Sequence, residues 1–234
     1  MRKSLLVLIA VLFEQLSFCQ QGTAPFSLTY SNPQNSFMDS VDVNDPLFNG
    51  MQHSGYLPSI EGIAYYKTSD WQNGSIIYRD IFYPHVQLKY NLVEDQVIVR
   101  HPNGYTMVAL FTPRIQSFTF QDYRFVYLDD SSLHIPRGIY HLVIKGPISL
   151  YIKHSKFIEE KVGQTQIERK FLEKDLYYAV KDGTFYPINK QQNLLELVKE
   201  QRGEIRSYLR SKKIKFKRNQ AAAIPEIIQY YNSH

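Results

Sequence analysis

The sequence predicts a mainly β, α+β protein: a meandering antiparallel sheet, free to curl into a half-barrel or barrel, followed by a C-terminal helical pair. Three observations predict it. Apolar residues recur with period two through residues 58–188, as in Val86, Leu88 and Tyr90 against Gln87, Lys89 and Asn91. The runs are joined by tight turns, and sequential strands so joined pair antiparallel, because parallel pairs need long crossovers. Past Asn189 the apolar spacing lengthens to that of a helix.

The strands follow in order. Val97 and Val99 come after a turn at Glu94-Asp95, and Pro102-Asn103-Gly104 is a hairpin signal leading into Tyr105 to Phe111. Phe118 and Phe120 cross Gln121-Asp122 to Tyr123, Phe125 and Tyr127. Ile139 to Ile144 turns at Lys145-Gly146-Pro147 into Ile148 to Ile152, and Tyr177 to Val180 with Thr184 to Tyr186 flank Lys181-Asp182-Gly183. The 18 Tyr and 14 Phe against a single Trp suit such strands, since a tyrosine ring packs while its hydroxyl stays wet.

In the C-terminal segment, residues 189–234, Asn189 with Gln192 has capping-box spacing, and Leu194, Val198, Ile205 and Leu209 share one helical face. Gly203 weakens that helix by about 1 kcal/mol relative to Ala. A second helix runs to Tyr231 with Asn219 as its cap, and Pro225 predicts a kink or a delayed start.

The N-terminus reads as an export signal over residues 1–19. Arg2 and Lys3 precede nine uncharged, mostly apolar residues from Leu5 to Phe13. That run is far short of the roughly 20 residues a membrane-spanning helix needs. Ser17 and Cys19 are the small residues before a cut that leaves Gln20 first. Lipidation of Cys19 is the alternative, because Leu16-Ser17-Phe18-Cys19 half resembles a lipobox. Phe18 fills the place where Gly or Ala is expected, which favours simple cleavage. Cys19 is the chain's one cysteine, so cleavage after it removes disulfides, thiolate catalysis and cysteine-bound zinc together. The net charge of +5 drops by one when Arg2, Lys3 and Glu14 leave, a mild bias towards anionic surfaces and no nucleic-acid signature. The expected location is the periplasm or an outer-membrane face. Residues 20–57 form a polar, turn-rich arm in which Phe26, Tyr30, Phe37 and Phe48 favour partial docking.

The order of several motifs carries a resemblance. Leu47-Phe48-Asn49-Gly50, Ile60-Glu61-Gly62, Trp71 to Ser75 and Ile81 to Val86 lead into Leu88 to Val93. Arg169 to Lys174, Tyr177-Tyr178, Ile214 to Arg218 and Tyr230-Tyr231-Asn232 follow. From Leu47 to its end the chain resembles a family of uncharacterised exported envelope proteins of Bacteroidetes. The resemblance implies export and this fold, and brings no activity or ligand. Pro225 departs from the uninterrupted final helix it implies.

Catalysis and metal binding find little in the pattern, and no cofactor is expected. The seven histidines are His53, His85, His101, His134, His141, His154 and His234, and none stands two or four residues from another. No Ser sits in a Gly-x-Ser-x-Gly elbow, and Ser131-Ser132 with His134 reads as a polar loop. Asp129-Asp130 and Glu159-Glu160 are adjacent pairs, which a strand points to opposite faces. Two binding surfaces are the candidates. Tyr123, Phe125 and Tyr127 share one face of a strand and are either a stacking platform for a sugar or acyl chain, or core. Lys212, Lys213, Lys215, Lys217 and Arg218 form a basic segment that either meets an anionic surface or partner, or is a solvated connector. The leading expectation is a non-catalytic binding or assembly module for another envelope component. A carrier for an amphipathic ligand in the sheet's concavity is second, and a hydrolase third.

Overall fold

The computed structural model describes residues 45–163, 167–216 and 218–234. Cys19, the residues read as an export signal and the arm up to residue 44 lie outside them, as does Lys217. Twelve strands form one unclosed sheet with helices after it. The first strands are β1 (Met51–Gln52), β2 (Ile60–Glu61), β3 (Gln72–Tyr78), β4 (Ile81–Asn91), β5 (Gln96–Arg100) and β6 (Met107–Ala109). Then come β7 (Ile115–Phe120), β8 (Tyr123–Leu128), β9 (Gly138–Ile144), β10 (Ile148–Val162), β11 (Ile167–Lys181) and β12 (Thr184–Pro187). The spatial order is β1-β6-β5-β4-β3-β7-β8-β9-β10-β11-β12, with β2 running parallel against Arg169 and Lys170 of β11. All other strand pairs are antiparallel, so the meander is real and a closed barrel is not formed.

Turn chemistry sets the register. Asn103 Oδ1 accepts from the backbone N–H groups of Tyr105 and Thr106, and Asp182 and Gly183 both have positive φ between β11 and β12. Between β3 and β7, Gly74 has no room for a side chain: an added Cβ would collide with the carbonyl oxygen of Thr119. The β3–β4 pairing shifts register just after that glycine, and the backbones of β3 and β7 approach closely at it.

Two apolar clusters fill the two ends of the strand order. The first gathers Tyr78, Leu88, Tyr90, Val97, Val99, Phe118, Phe120 and Phe125 from β3, β4, β5, β7 and β8, with Leu47 from the end of the arm. The second places Ile148, Leu150, Ile152 and Ala179 of β10 and β11 under α1 (Gln191–Leu197), α2 (Arg202–Ser211) and α3 (Gln220–Ser233). Leu194, Val198, Ile205 and Leu209 are all buried here, as their spacing predicts. Asn232 fastens the end of α3 to the sheet: its Oδ1 accepts from Ile148 N at 2.9 Å and its Nδ2 donates to Ile148 O at 2.8 Å.

The helices depart from the sequence reading in detail. The cap lies one residue later than Asn189: Lys190 precedes α1, and Asn193 Oδ1 accepts from Lys190 N. The expected single helix divides at Val198, whose φ of −113° and ψ of 35° leave the helical basin, and a 3₁₀ turn over Lys199–Gln201 leads into α2. Gly203 falls in the first turn of α2, where it matters less than in mid-helix. Asn219 caps α3 through Ala222 N at 3.1 Å, and the helix starts five residues before Pro225 and runs through it, so the delayed start does not occur.

The largest departure is the β10–β11 hairpin. Each strand has fifteen residues, about 50 Å of chain, where only Ile148 to Ile152 and Tyr177 to Val180 read as strand in the sequence. The outer halves group charged and apolar residues in blocks, as in Phe157-Ile158 before Glu159-Glu160-Lys161 and Glu168-Arg169-Lys170 before Phe171-Leu172, which hides their period.

Candidate functional site

The sequence candidates separate cleanly in the structure. Phe125 is fully buried, stacked on Phe118 at 4.7 Å between ring centroids, while Tyr123 and Tyr127 are partly buried against the same cluster. Phe125 therefore belongs to the core and Tyr123 and Tyr127 flank it, because β8 lies mid-sheet and turns that face into the ring cluster. The basic segment is not a strand. Lys212 ends α2, Lys213 has a φ of 56°, and the chain turns into α3 with Phe216 buried and Ile214 packed on the helical cluster. Lys212, Lys213, Lys215 and Arg218 are exposed on this connector, with Lys212 over the ring of Tyr208. Ser131 to Leu133 form a 3₁₀ turn capped by Asp130, and Tyr127 OH donates to Asp129, which makes that stretch a polar loop. Glu159 pairs with Lys161 and Glu160 with Arg169, on opposite faces of β10.

A different set of residues converges where the two apolar clusters meet. Ile152 lies opposite His141 across the β9–β10 ladder, so His154, two residues on, shares its face. His154 in turn lies directly opposite Asp175 of β11, and Glu173 shares the face of Asp175. The result is a buried chain of polar groups. His141 Nδ1 stands 3.2 Å from His154 Nε2, and His154 Nδ1 stands 2.7 Å from Asp175 Oδ1. Tyr66 OH approaches His141 Nδ1 at 3.5 Å, and Tyr177 OH donates to Asp175 Oδ2 at 3.4 Å. Rings enclose the pair: His141 stacks on Phe125 at 4.9 Å, and Tyr66 packs on His154 at 4.9 Å.

Asp175 fixes the proton arrangement. An ionised carboxylate only accepts, so His154 Nδ1 carries the proton and Nε2 faces His141. Burial, then the neighbouring His154 and Lys67, hold His141 down to about 4 from the ordinary 6.5, with Asp175 opposing. Burial likewise pushes the phenol of Tyr177 up to about 12, with Asp175 adding to it, and raises that of Tyr66 further. His141 is thus neutral at physiological pH, and with the His154 proton on Nδ1 it is the Nδ1–H of His141 that donates to His154 Nε2. Because its folded pKa lies below the unfolded one, the unfolded chain binds more protons between pH 6.5 and 4. The contribution of His141 to stability is complete above pH 6.5 and is lost as pH falls towards 4, a drop on the order of 2–3 kcal/mol. Urea unfolding at pH 7 and pH 4.5 measures it, and a His141→Gln variant should show a flatter dependence. The groups facing this ring are His154, Lys67, Asp175, Tyr66 and Tyr123.

Lys156 closes the rear of the cluster. Its Nζ donates to the carbonyls of Ile63 and Tyr65 at 2.9 and 3.3 Å, and its backbone N–H donates to Leu92 O. Glu173, opposite Lys156 in the ladder, makes no hydrogen bond or ion pair among the described residues. Sequence reasoning missed this cluster because its members are spread over residues 66–177 and meet only through the register of β9, β10 and β11. The Glu173-x-Asp175 alternation is the one local trace of it.

No protein-family model matches the chain, and no curated protein or solved structure is similar to it.

Proposed function

We propose that this chain is an exported, non-catalytic binding or assembly module of the cell envelope that takes hold of another envelope protein along the β10–β11 hairpin. The observation that carries the reading is the open outer edge of β10. β9 pairs with β10 only at residues 150–152, and Lys156 N reaches Leu92 O, but from Phe157 to Val162 the strand's only ladder partner among the described residues is β11. Successive residues of a paired strand alternate their hydrogen-bonding groups between its two edges. Since Lys156 N–H points outward, Ile158, Glu160 and Val162 present the next outward groups. Phe157, Val162 and Ile167 are 49%, 88% and 51% exposed, so apolar surface accompanies the edge. An added strand would gain main-chain hydrogen bonds from the edge and contacts from these side chains.

The carrier alternative needs space in the sheet's concavity, where Phe118, Phe120, Phe125 and Tyr90 pack at centroid separations of 4.7–6.2 Å. The exposed cations at Lys212, Lys213, Lys215 and Arg218 suit a secondary contact with an anionic envelope surface.

The test uses a photocrosslinking residue at Phe157 in the exported protein, with capture from native envelopes. One recurrent envelope protein is expected, and Ile158→Pro, which removes an outward N–H and leaves the β10–β11 bonds in place, should lower its yield at least tenfold without changing thermal unfolding. Equal capture by wild type and Ile158→Pro would reject strand addition.

A further inference from the structure

We propose that His154, Glu173 and Asp175 bind a divalent first-row transition cation, with zinc as the fitting probe. One donor atom from each residue lies within 4.8 Å of the others, His154 and Asp175 being buried or half-buried and Glu173 exposed. The arrangement follows from strand geometry. His154 and Asp175 are directly opposite, and Glu173 stands two residues from Asp175 on the same face, so three donors project into one volume.

Three features beyond proximity point to a cation. The first is the partner of the other imidazole nitrogen. His154 Nε2 faces the neutral Nδ1 of His141 at 3.2 Å inside the ring cluster. When a cation displaces the Nδ1 proton, both imidazoles take the other tautomer: His154 Nε2–H then donates to His141 Nδ1, and the His154 Nδ1 lone pair is aimed at the cation between the two carboxylates. The second is Tyr177, whose hydroxyl donates to the Asp175 oxygen that does not face His154 and so orients the carboxylate. The third is charge. Two carboxylates meet here, and the nearby ammonium of Lys156 is committed to the carbonyls of Ile63 and Tyr65 while Glu173 stands without an ion pair among the described residues. A dication in place of the His154 Nδ1 proton balances both carboxylates. One nitrogen and two oxygens favour zinc and its neighbours over Mg²⁺ or Ca²⁺, which prefer oxygen alone, and three protein donors leave a coordination position open on the Glu173 side.

The experiment is calorimetric titration of zinc into chelator-treated full-length protein, with Co²⁺ absorption as a second readout of coordination. One zinc per chain is expected, with a Co²⁺ spectrum of a tetrahedral or five-coordinate site. Glu173→Gln, at an exposed position that leaves folding intact, should weaken zinc by about 100-fold or more. His141→Gln, acting through His154, should weaken it by about 10–100-fold. Circular dichroism of both variants checks that the fold is retained. Absence of zinc binding to the wild type overturns the proposal. So does equal affinity in wild type and Glu173→Gln, which would move binding to other histidines, and so does Mg²⁺ competing at equal concentration.

Discussion

Replacing Phe125 with alanine is expected to remove about 3–5 kcal/mol of folding stability, the range for a large aromatic taken from a filled core. Phe125 is 0% exposed and touches rings on every side. Phe118 and Phe120 lie stacked at 4.7 and 5.4 Å, Tyr90 and Tyr66 meet it edge-on at 5.2 Å, and His141 covers it at 4.9 Å. Those neighbours come from three strands and the segment before β3, so they cannot all move into one vacated space. The cavity remains, and its lining loses dispersion contacts. Phe125→Leu keeps most of the volume and should lose less than half as much. Urea unfolding of both variants separates this from a surface role: a ligand platform would let Phe125→Ala unfold within about 0.5 kcal/mol of the wild type. Because His141 rests on this ring, the alanine variant should also loosen the polar chain that continues to His154 and Asp175.

The period-two pattern of Tyr123, Phe125 and Tyr127 was legible in the sequence, as were the hairpin turns at Asn103-Gly104 and Asp182-Gly183, because turns and alternation are local properties. Which face is covered is not local. It depends on β8 lying between β7 and β9, and period alone leaves core and platform equivalent. The helical face of Leu194, Val198, Ile205 and Leu209 was equally plain, while the break at Val198 was not, since the residues on either side keep the same apolar spacing. The outer half of the β10–β11 hairpin was hidden by Glu159, Glu160, Lys161 and Glu168, which interrupt the period of two and find partners, as Glu160 does in Arg169, only across the strands. The histidine cluster was hidden most deeply. His141 and His154 are thirteen residues apart, and a register shift between Leu150 and Tyr151 decides which face each takes. One residue of slip would separate them.

The other large loss is expected at Asp95, which in the sequence is merely part of a turn. Its φ of 53° turns the carboxylate back under the sheet, where Oδ1 accepts from Tyr90 OH at 2.7 Å. Oδ2 accepts from Ile139 N at 3.2 Å and from Lys153 Nζ at 2.7 Å, so a single side chain ties β4, β9 and β10 together. Gly138 makes the approach possible: at its φ of 138° an added Cβ would collide with both Asp95 Oδ2 and Lys153 Nζ. Asp95→Ala leaves the hydroxyl of Tyr90, 1% exposed, and the ammonium of Lys153, with its side chain 14% exposed, without their partner. A charge pair opened from one side in such surroundings is expected to lose about 3–5 kcal/mol. Asp95→Asn tolerates the left-handed backbone and keeps one acceptor, so its loss should be smaller, about 1–3 kcal/mol. The decisive measurement is a double-mutant cycle with Lys153→Met read by urea unfolding. Since the double variant carries no stranded ammonium, it should be more stable than the sum of the single losses predicts, by about 1–3 kcal/mol. Strict additivity would mean that the Asp95–Lys153 contact contributes nothing, and that the loss in Asp95→Ala comes from Tyr90 and Ile139 alone.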